Sequence, residues 1–229
     1  MAQGFFITGT GTGVGKTRVS LALIRELRRR GFRVAAMKPV ATGAVWRNGS
    51  LRHEDAELLL AAASVQVSYD EVNAFAYEAP TSPHIAARRE DRPVDIDAIV
   101  TQNEALASRA DWVIVEGVGG WEVPLNDHAR VSDLAEALRW PVVLVVDLRL
   151  GCLNHALLSA AAIGRSCVRP AGWIGNVIDP EFPYLDEYLR TLDESLPEPR
   201  LALLPWCPGD GRSGASELVL SAAFEQWAG

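Results

Sequence analysis

Glycines at four alternating positions, Gly9, Gly11, Gly13 and Gly15, lead into Lys16 and Thr17, and no other stretch constrains the fold as tightly. An apolar run at residues 5–7 comes directly before them, and Val19, Leu23, Ile24 and Leu27 follow at helical spacing. A buried strand, a glycine-rich turn and a helix start form the context in which backbone N–H groups and a helix N-terminus cradle phosphate. The strict P-loop pattern, Gly-x-x-x-x-Gly-Lys-[Ser/Thr], is missed. Counted back from Gly15, the leading position is Thr10, and the glycine stands one residue early at Gly9. The physics survives the offset, because the glycines still let the backbone turn sharply and aim its N–H groups inward. Lys16 then reaches the β- and γ-phosphates of a nucleotide, and the Thr17 hydroxyl is placed to hold Mg2+.

Composition sharpens the role of that lysine. Of the 22 Lys and Arg residues only two are lysine, Lys16 and Lys38. An ammonium is a compact point charge that can lose its proton, whereas a guanidinium is a planar fork that stays charged. A chain so biased towards arginine keeps lysine where arginine would fail, so Lys38 becomes a candidate for chemistry beside the P-loop lysine.

The 229 residues, 48% hydrophobic and 22% charged, suit one globular domain over residues 1–229. A net charge of −7 argues against a nucleic-acid partner. Arg28, Arg29 and Arg30 close a helical pattern, where cations suit the helix dipole and need no polyanion. Cys152, Cys167 and Cys207 are too scattered for a disulfide or metal framework, and the four histidines show no metal-ligand spacing. No Ser/His/Asp or Cys/His nucleophile set stands out. The first residues lack the basic and apolar regions of a signal peptide, and no apolar run reaches the length of a membrane span. The expected location is the cytoplasm, with no membrane partner.

Strand and helix patterns alternate along the chain. Strands are expected at residues 5–8, 33–37, 112–115, 142–146, 173–178 and 201–204. Helices are expected at 18–30, 53–63, 96–107, 132–139, 153–163, 184–192 and 216–227, with loops at 43–49 and 79–84. Continuous apolar strands alternating with helices predict a P-loop NTPase-like α/β fold, a mostly parallel sheet with helices on both faces. Ligands of such sheets bind outside the carboxyl ends of the strands. That rule gathers the P-loop, residues 38–43, residues 116–120 and the segment from Asn176 onward, with the strand before Lys38 expected beside the P-loop strand. Glu116 ends an apolar strand, where P-loop enzymes place an acidic Mg2+ ligand, and Asp55 in a first helical turn is a second candidate. The glycines from Gly117 to Gly120 let backbone approach a ligand closely.

In order and at suitable spacing, residues 9–17, 38–43 (Lys-Pro-Val-Ala-Thr-Gly), 80–84 (Pro-Thr-Ser-Pro-His), 115–121, 150–155 and 172–174 resemble the ATP-dependent dethiobiotin synthetases, over nearly the whole chain. The early leading glycine is also what this family looks like. The resemblance implies a reaction in which 7,8-diaminopelargonate takes up CO2 as an N7 carbamate. ATP phosphorylates the carbamate to a carbamic-phosphoric anhydride, and the second amine closes the ring, giving dethiobiotin, ADP and phosphate. The resemblance implies Lys38 and Lys16 as catalytic cations, and Thr12 and Thr42 at the diamine or carbamate end of the substrate. It implies Thr17, Asp55 and Glu116 as Mg2+ ligands. Gly13, Val14, Gly15, Arg18, Gly117, Val118 and Gly119 would border the nucleotide with Lys16 and Thr17, and Asn176, Val177, Pro205, Trp206 and Cys207 would hold its base. It also implies a homodimer in which Gly151, Cys152, Leu153 and Asn154 cap the substrate's distal carboxylate across the interface.

Some positions depart from the family pattern. Gly11 and Gly13 replace acidic residues beside the substrate amines, Val177 stands where an Asp is often found, and Gly211 falls near an acidic nucleotide contact. These departures bear on diamine affinity and nucleotide preference, not on the phosphate and Mg2+ positions. The alternative is a partitioning-type P-loop ATPase switch acting through protein partners. Such switches carry an extra loop lysine that would fall at Gly11. A small-molecule kinase would use the P-loop but leave residues 38–43 and 80–84 unexplained.

Overall fold

The structure is a computed structural model that describes residues 2–208 and 217–228. Seven strands make the main sheet: β1 (Gln3–Gly9), β2 (Val34–Met37), β7 (Trp112–Glu116), β8 (Val142–Leu148), β9 (Pro170–Val177), β10 (Arg200–Leu204) and β11 (Val219–Leu220). Their order is β11-β10-β9-β8-β1-β7-β2, parallel throughout except for the β10–β11 pair. Every residue of β7 and β8 is buried. Helices cover both faces, so these strands read as apolar runs without alternation.

One expectation is corrected by the strand order. β2 pairs with β7, and β1 lies between β7 and β8. Neighbours in sequence need not be neighbours in a sheet. The four-residue β2 takes the edge, where short strands limit exposed pairing groups, while five-residue β7 occupies an inner position.

On one face pack α1 (Lys16–Arg29), α2 (Glu54–Ala62), α3 (Tyr69–Val72) and α9 (Ala222–Ala228), around a core including Phe5, Ile7, Leu23, Trp112 and Phe224. On the other face pack α4 (Pro83–Arg89), α5 (Ile96–Ala107), α6 (Val131–Leu138), α7 (Cys152–Ile163) and α8 (Leu185–Ser195), whose core includes Phe6, Val115, Ile99, Leu134 and Leu189. Local chemistry sets the helix ends. The Asp95 carboxylate accepts from the Ala98 N–H at 3.1 Å to start α5, and Arg28 and Arg29 occupy the last turn of α1.

Short elements between residues 40 and 89 escaped the sequence reading. β3 (Val40–Thr42) pairs in parallel with β6 (Phe75–Tyr77), and β4 (Val45–Arg47) with β5 (Ser50–Arg52) forms a hairpin. The expected loop at 43–49 is thus largely a hairpin. Its turn is Asn48-Gly49, with φ of 50° and 81°, the pair that two-residue hairpins favour. The expected loop at 79–84 already contains the start of α4, with Pro83 in its first turn, where proline loses no hydrogen bond. The expected terminal helix at 216–227 is corrected to β11 followed by α9. Val219 and Leu220 extend the sheet by pairing with Leu203 and Ala202 instead of entering the helix. Among the described residues no helix is long and apolar enough to cross a membrane.

Trp112 is buried beneath the sheet, with its ring 5.2 Å from Phe5 and 6.3 Å from Phe32. Trp112→Ala should cost about 3–5 kcal/mol, lowering Tm by roughly 10 °C in thermal melts. Nucleotide affinity at 25 °C should be unchanged, because Trp112 begins its strand at the end opposite to Glu116.

Candidate active site

The carboxyl ends of β1, β2, β7 and β9 border a cleft of about 1220 Å3. Its near wall holds Thr12, Gly13, Gly15, Lys16, Thr17 and Arg18. Lys38 and Thr42 enter from the segment after β2, Asp55 from the first turn of α2, and Glu116, Val118 and Gly119 from the end of β7. Asn176, Trp206 and Cys207 close the other side.

The turn into α1 depends on glycine. Gly15 sits at φ 92°, and a Cβ there would lie 2.1 Å from the Asn176 amide nitrogen. That amide donates to the Val14 carbonyl at 2.9 Å and accepts from Arg18 at 2.7 Å. Arg18 also donates to the Val177 carbonyl at 3.1 Å, to the Pro205 carbonyl, and to Cys207 Sγ at 3.4 Å. Four of the five residues expected at the nucleotide base, Asn176, Val177, Pro205 and Cys207, are therefore gathered by one guanidinium rooted in the P-loop helix. Lys16 folds back to donate to the Gly11 carbonyl at 2.8 Å. Burial and then the nearby Lys38 charge bring its pKa down to about 8, against the opposing pull of Glu116, Asp55 and Asp147.

Lys38 stands at the centre of the site. Its Nζ donates to Glu116 Oε1 at 2.5 Å, to Asp55 Oδ2 at 3.2 Å and to the Gly117 carbonyl at 3.4 Å. Burial works to lower its pKa, but the carboxylates of Glu116 and Asp55 outweigh it, so the amine is held above its ordinary value as an ammonium. The Thr17 hydroxyl donates to the same Glu116 oxygen at 2.8 Å. The other oxygen, Glu116 Oε2, is buried without a hydrogen-bond partner. Sheet register explains the meeting, because Met37 pairs with Val115 and so sets Lys38 beside Glu116. Asp55 is delivered by a capped helix: the His53 ring accepts from the Asp55 N–H at 3.2 Å. Burial lowers the pKa of His53.

The donor set fits a hard divalent cation. Thr17 and two carboxylates share one small volume, and a buried carboxylate oxygen lacks a partner. Among the described residues no three His, Cys, Asp or Glu side chains cluster as a metal site, so a cation here would complete its shell with phosphate oxygens.

Not every expected residue reaches the cleft. Gly151, Cys152, Leu153 and Asn154 lie at the start of α7 and are absent from its wall. Val14, Gly117, Val177 and Pro205 contribute through their carbonyls. Gly211 lies outside the described residues. Sequence reasoning missed Arg47, Arg52 and His53, which the hairpin and its exit bring to the cleft wall, and the Asn-Gly turn signal could have found them. It also missed Asp147, a buried residue of β8 that accepts from the Thr10 hydroxyl at 3.3 Å.

Comparison with known proteins agrees with this geometry. Residues 3–210 match the family described as "AAA domain". ATP-dependent dethiobiotin synthetase BioD of Pseudomonas paraeruginosa is 46% identical over 204 residues, covering 88% of this chain and 89% of that protein. The BioD protein of Cellvibrio japonicus is 43% identical over 203 residues, covering 89% of each. Among solved structures, the MinC:MinD cell division protein complex of Aquifex aeolicus aligns with a TM-score of 0.57 at 16% identity, covering 90% of this chain and 82% of that one. A ParA family ATPase from Chlorobium tepidum aligns with a TM-score of 0.57 at 12% identity, covering 91% and 86%. At such identities the structural likeness shows a shared P-loop fold.

Gly15→Ala should weaken MgATP binding at least ~10-fold in isothermal titration calorimetry, because strained backbone costs about 1–3 kcal/mol and Asn176 must also move. Gly13→Ala should lose less, since Gly13 has φ 80° but nothing within 4 Å of an added Cβ.

Proposed function

This chain belongs to the ATP-dependent dethiobiotin synthetase family, and from that premise we propose how its cleft divides the work. It is an ATP- and Mg2+-dependent ligase of biotin biosynthesis, converting 7,8-diaminopelargonate and CO2 to dethiobiotin with release of ADP and phosphate. The assignment of roles rests on one observation, the buried cluster in which Lys38 bridges Glu116 and Asp55 beside Thr17.

Three anionic pieces must meet: a triphosphate, a carbamate and the mixed anhydride that forms between them. Lys16 serves the β- and γ-phosphates, and Lys38 serves the carbamate and the charge that develops on the transferring phosphoryl group. Thr17, Asp55 and Glu116 would hold Mg2+, which when bound neutralises charge on the phosphate oxygens. A carbamate oxygen attacks the γ-phosphorus and ADP leaves. The second amine then attacks the carbamoyl carbon and phosphate leaves. Both nucleophiles belong to the substrate, so this reading needs no nucleophile from the protein. Thr12 and Thr42, which both line the cleft, suit the diamine and carbamate end. Asn176, Val177 and residues 205–207, gathered by Arg18, suit the base. The chain acts as one domain, with the P-loop, Lys38, Glu116 and Asn176 all standing at the carboxyl edge of one main sheet.

The working unit we propose is a homodimer. The start of α7 lies off the cleft wall of its own chain; its Cys152 N–H donates to the Arg149 carbonyl at 3.1 Å and Gly151 supplies no side-chain cap, so the helix N-terminus suits a carboxylate. Leu150 is 81% exposed and Leu158 63% exposed, so an apolar face borders that helix start. A second copy seated there would bring residues 151–154 to the substrate's distal carboxylate. A partitioning-type switch shares the fold, but it lacks support from the loop, where Gly11 stands in place of the extra lysine.

Phosphate release from MgATP with bicarbonate should depend on 7,8-diaminopelargonate and yield a cyclic urea; release indifferent to the diamine would contradict this reading. Lys38→Arg should lower kcat by at least ~100-fold with the Kd for ATP within about 3-fold, because the planar fork cannot take the place of an ammonium. Leu158→Arg should shift the species seen by light scattering from dimer to monomer, and raise the KM for the diamine more than that for ATP.

A further inference from the structure

Lys38 leaves β2 at the open edge of the sheet, where no strand lies beyond it to bind its main chain. The end of α3 does so instead. The Lys38 N–H donates to the Val72 carbonyl at 2.8 Å, and the Lys38 carbonyl accepts from the Asn73 amide at 2.6 Å. Asn73 is not alone in this. Its Oδ1 accepts from the Tyr69 hydroxyl at 2.9 Å, and that hydroxyl accepts from the His53 N–H at 2.7 Å. His53 is the residue that caps α2 and aims Asp55. An unbroken run of hydrogen bonds, His53–Tyr69–Asn73–Lys38, thus ties the main chain bearing Asp55 to the main chain bearing Lys38. Tyr69 and Asn73 are both buried, and neither lines the cleft.

The linkage has the form of a spacer. Lys38 and Asp55 come from separate elements, and their side chains meet at 3.2 Å. Direct contact between flexible tips cannot set where the two backbones stand; the Tyr69–Asn73 pair, packed behind them, can. Several features hold the spacer in place. Ser68 and Glu71 form a capping box at the start of α3, and the Arg52 guanidinium lies 4.0 Å over the Tyr69 ring.

We propose that Tyr69 and Asn73 are positioning residues that set the separation of the Lys38 ammonium and the Asp55 carboxylate, and through it the metal requirement and turnover of the cleft. The proposal rests on the roles given to Lys38 and Asp55 above. Buried groups that orient metal-binding and reacting side chains typically change affinity or rate by about 10–100-fold when removed.

The test uses Tyr69→Phe, Asn73→Ala and the double variant in the full-length protein. Measured are Tm, kcat, the KM for ATP, and Mg2+ affinity of the ADP complex by calorimetry. Each single variant should lower kcat about 10-fold or more and weaken Mg2+ binding several-fold, with the KM for ATP within about 3-fold. The double variant should be no worse than the poorer single one, since either change breaks the same run. Trp112→Ala, which lowers Tm from a remote site, supplies the comparison. Losses in the Tyr69 and Asn73 variants that only track Tm as Trp112→Ala does, or that simply add, would overturn the proposal, as would unchanged Mg2+ affinity. If the parent shows no diamine-dependent turnover, the reaction assigned above fails, and Mg2+ affinity still decides whether the pair positions Lys38 and Asp55.

Discussion

The contact between the Lys38 ammonium and the Glu116 carboxylate is the interaction on which the cleft depends. Two charges buried at 2.5 Å are costly to desolvate, and removing either partner of such a pair typically costs about 3–5 kcal/mol. The arrangement persists because the two residues end adjacent parallel strands, so the sheet ladder itself fixes their meeting. Thr17 and Asp55 then complete a mixed set of charges and donors that no single element could assemble. A polyphosphate and a divalent cation entering this set would redistribute contacts already made in the protein alone.

The same fold occurs in a cell division protein complex and in a ParA family ATPase that align with this chain. The chemistry of this chain is concentrated at its strand ends. Gly11 leaves the loop with Lys16 as its one lysine, and Lys38 follows edge strand β2 to stand beside Glu116. Arg18 adds a second device, joining the P-loop helix to the end of β9 and to the segment after β10. The fold provides phosphate binding, and the residues at its rim decide what the phosphate is used for.

Much of this was legible from residue order. The P-loop context, the buried strands at 112–115 and 142–146, and the helix at 96–107 all follow from apolar periodicity and punctuation by glycine. The scarcity of lysine pointed to Lys38 before any geometry was available, and both lysines are indeed buried in the cleft. The short elements were illegible because three- and four-residue segments such as β3, β6 and α3 carry too few residues to show a period. The place of β2 was misread because crossover connections constrain handedness, not which strand lies next door. The Tyr69–Asn73 pair left no local signal, since its meaning lies in two main-chain segments far apart in sequence.

The confinement of lysine has a further consequence. Both side-chain amines of the chain lie within the cleft, and every other basic side chain that stays charged is a guanidinium. A guanidinium is a poor target for acylation. Under the reaction proposed above, the cleft generates an activated carboxyl derivative that would modify any free amine it met. A surface without lysine offers that species no ε-amine to acylate, leaving water and free thiols such as the exposed Cys167 as its acceptors.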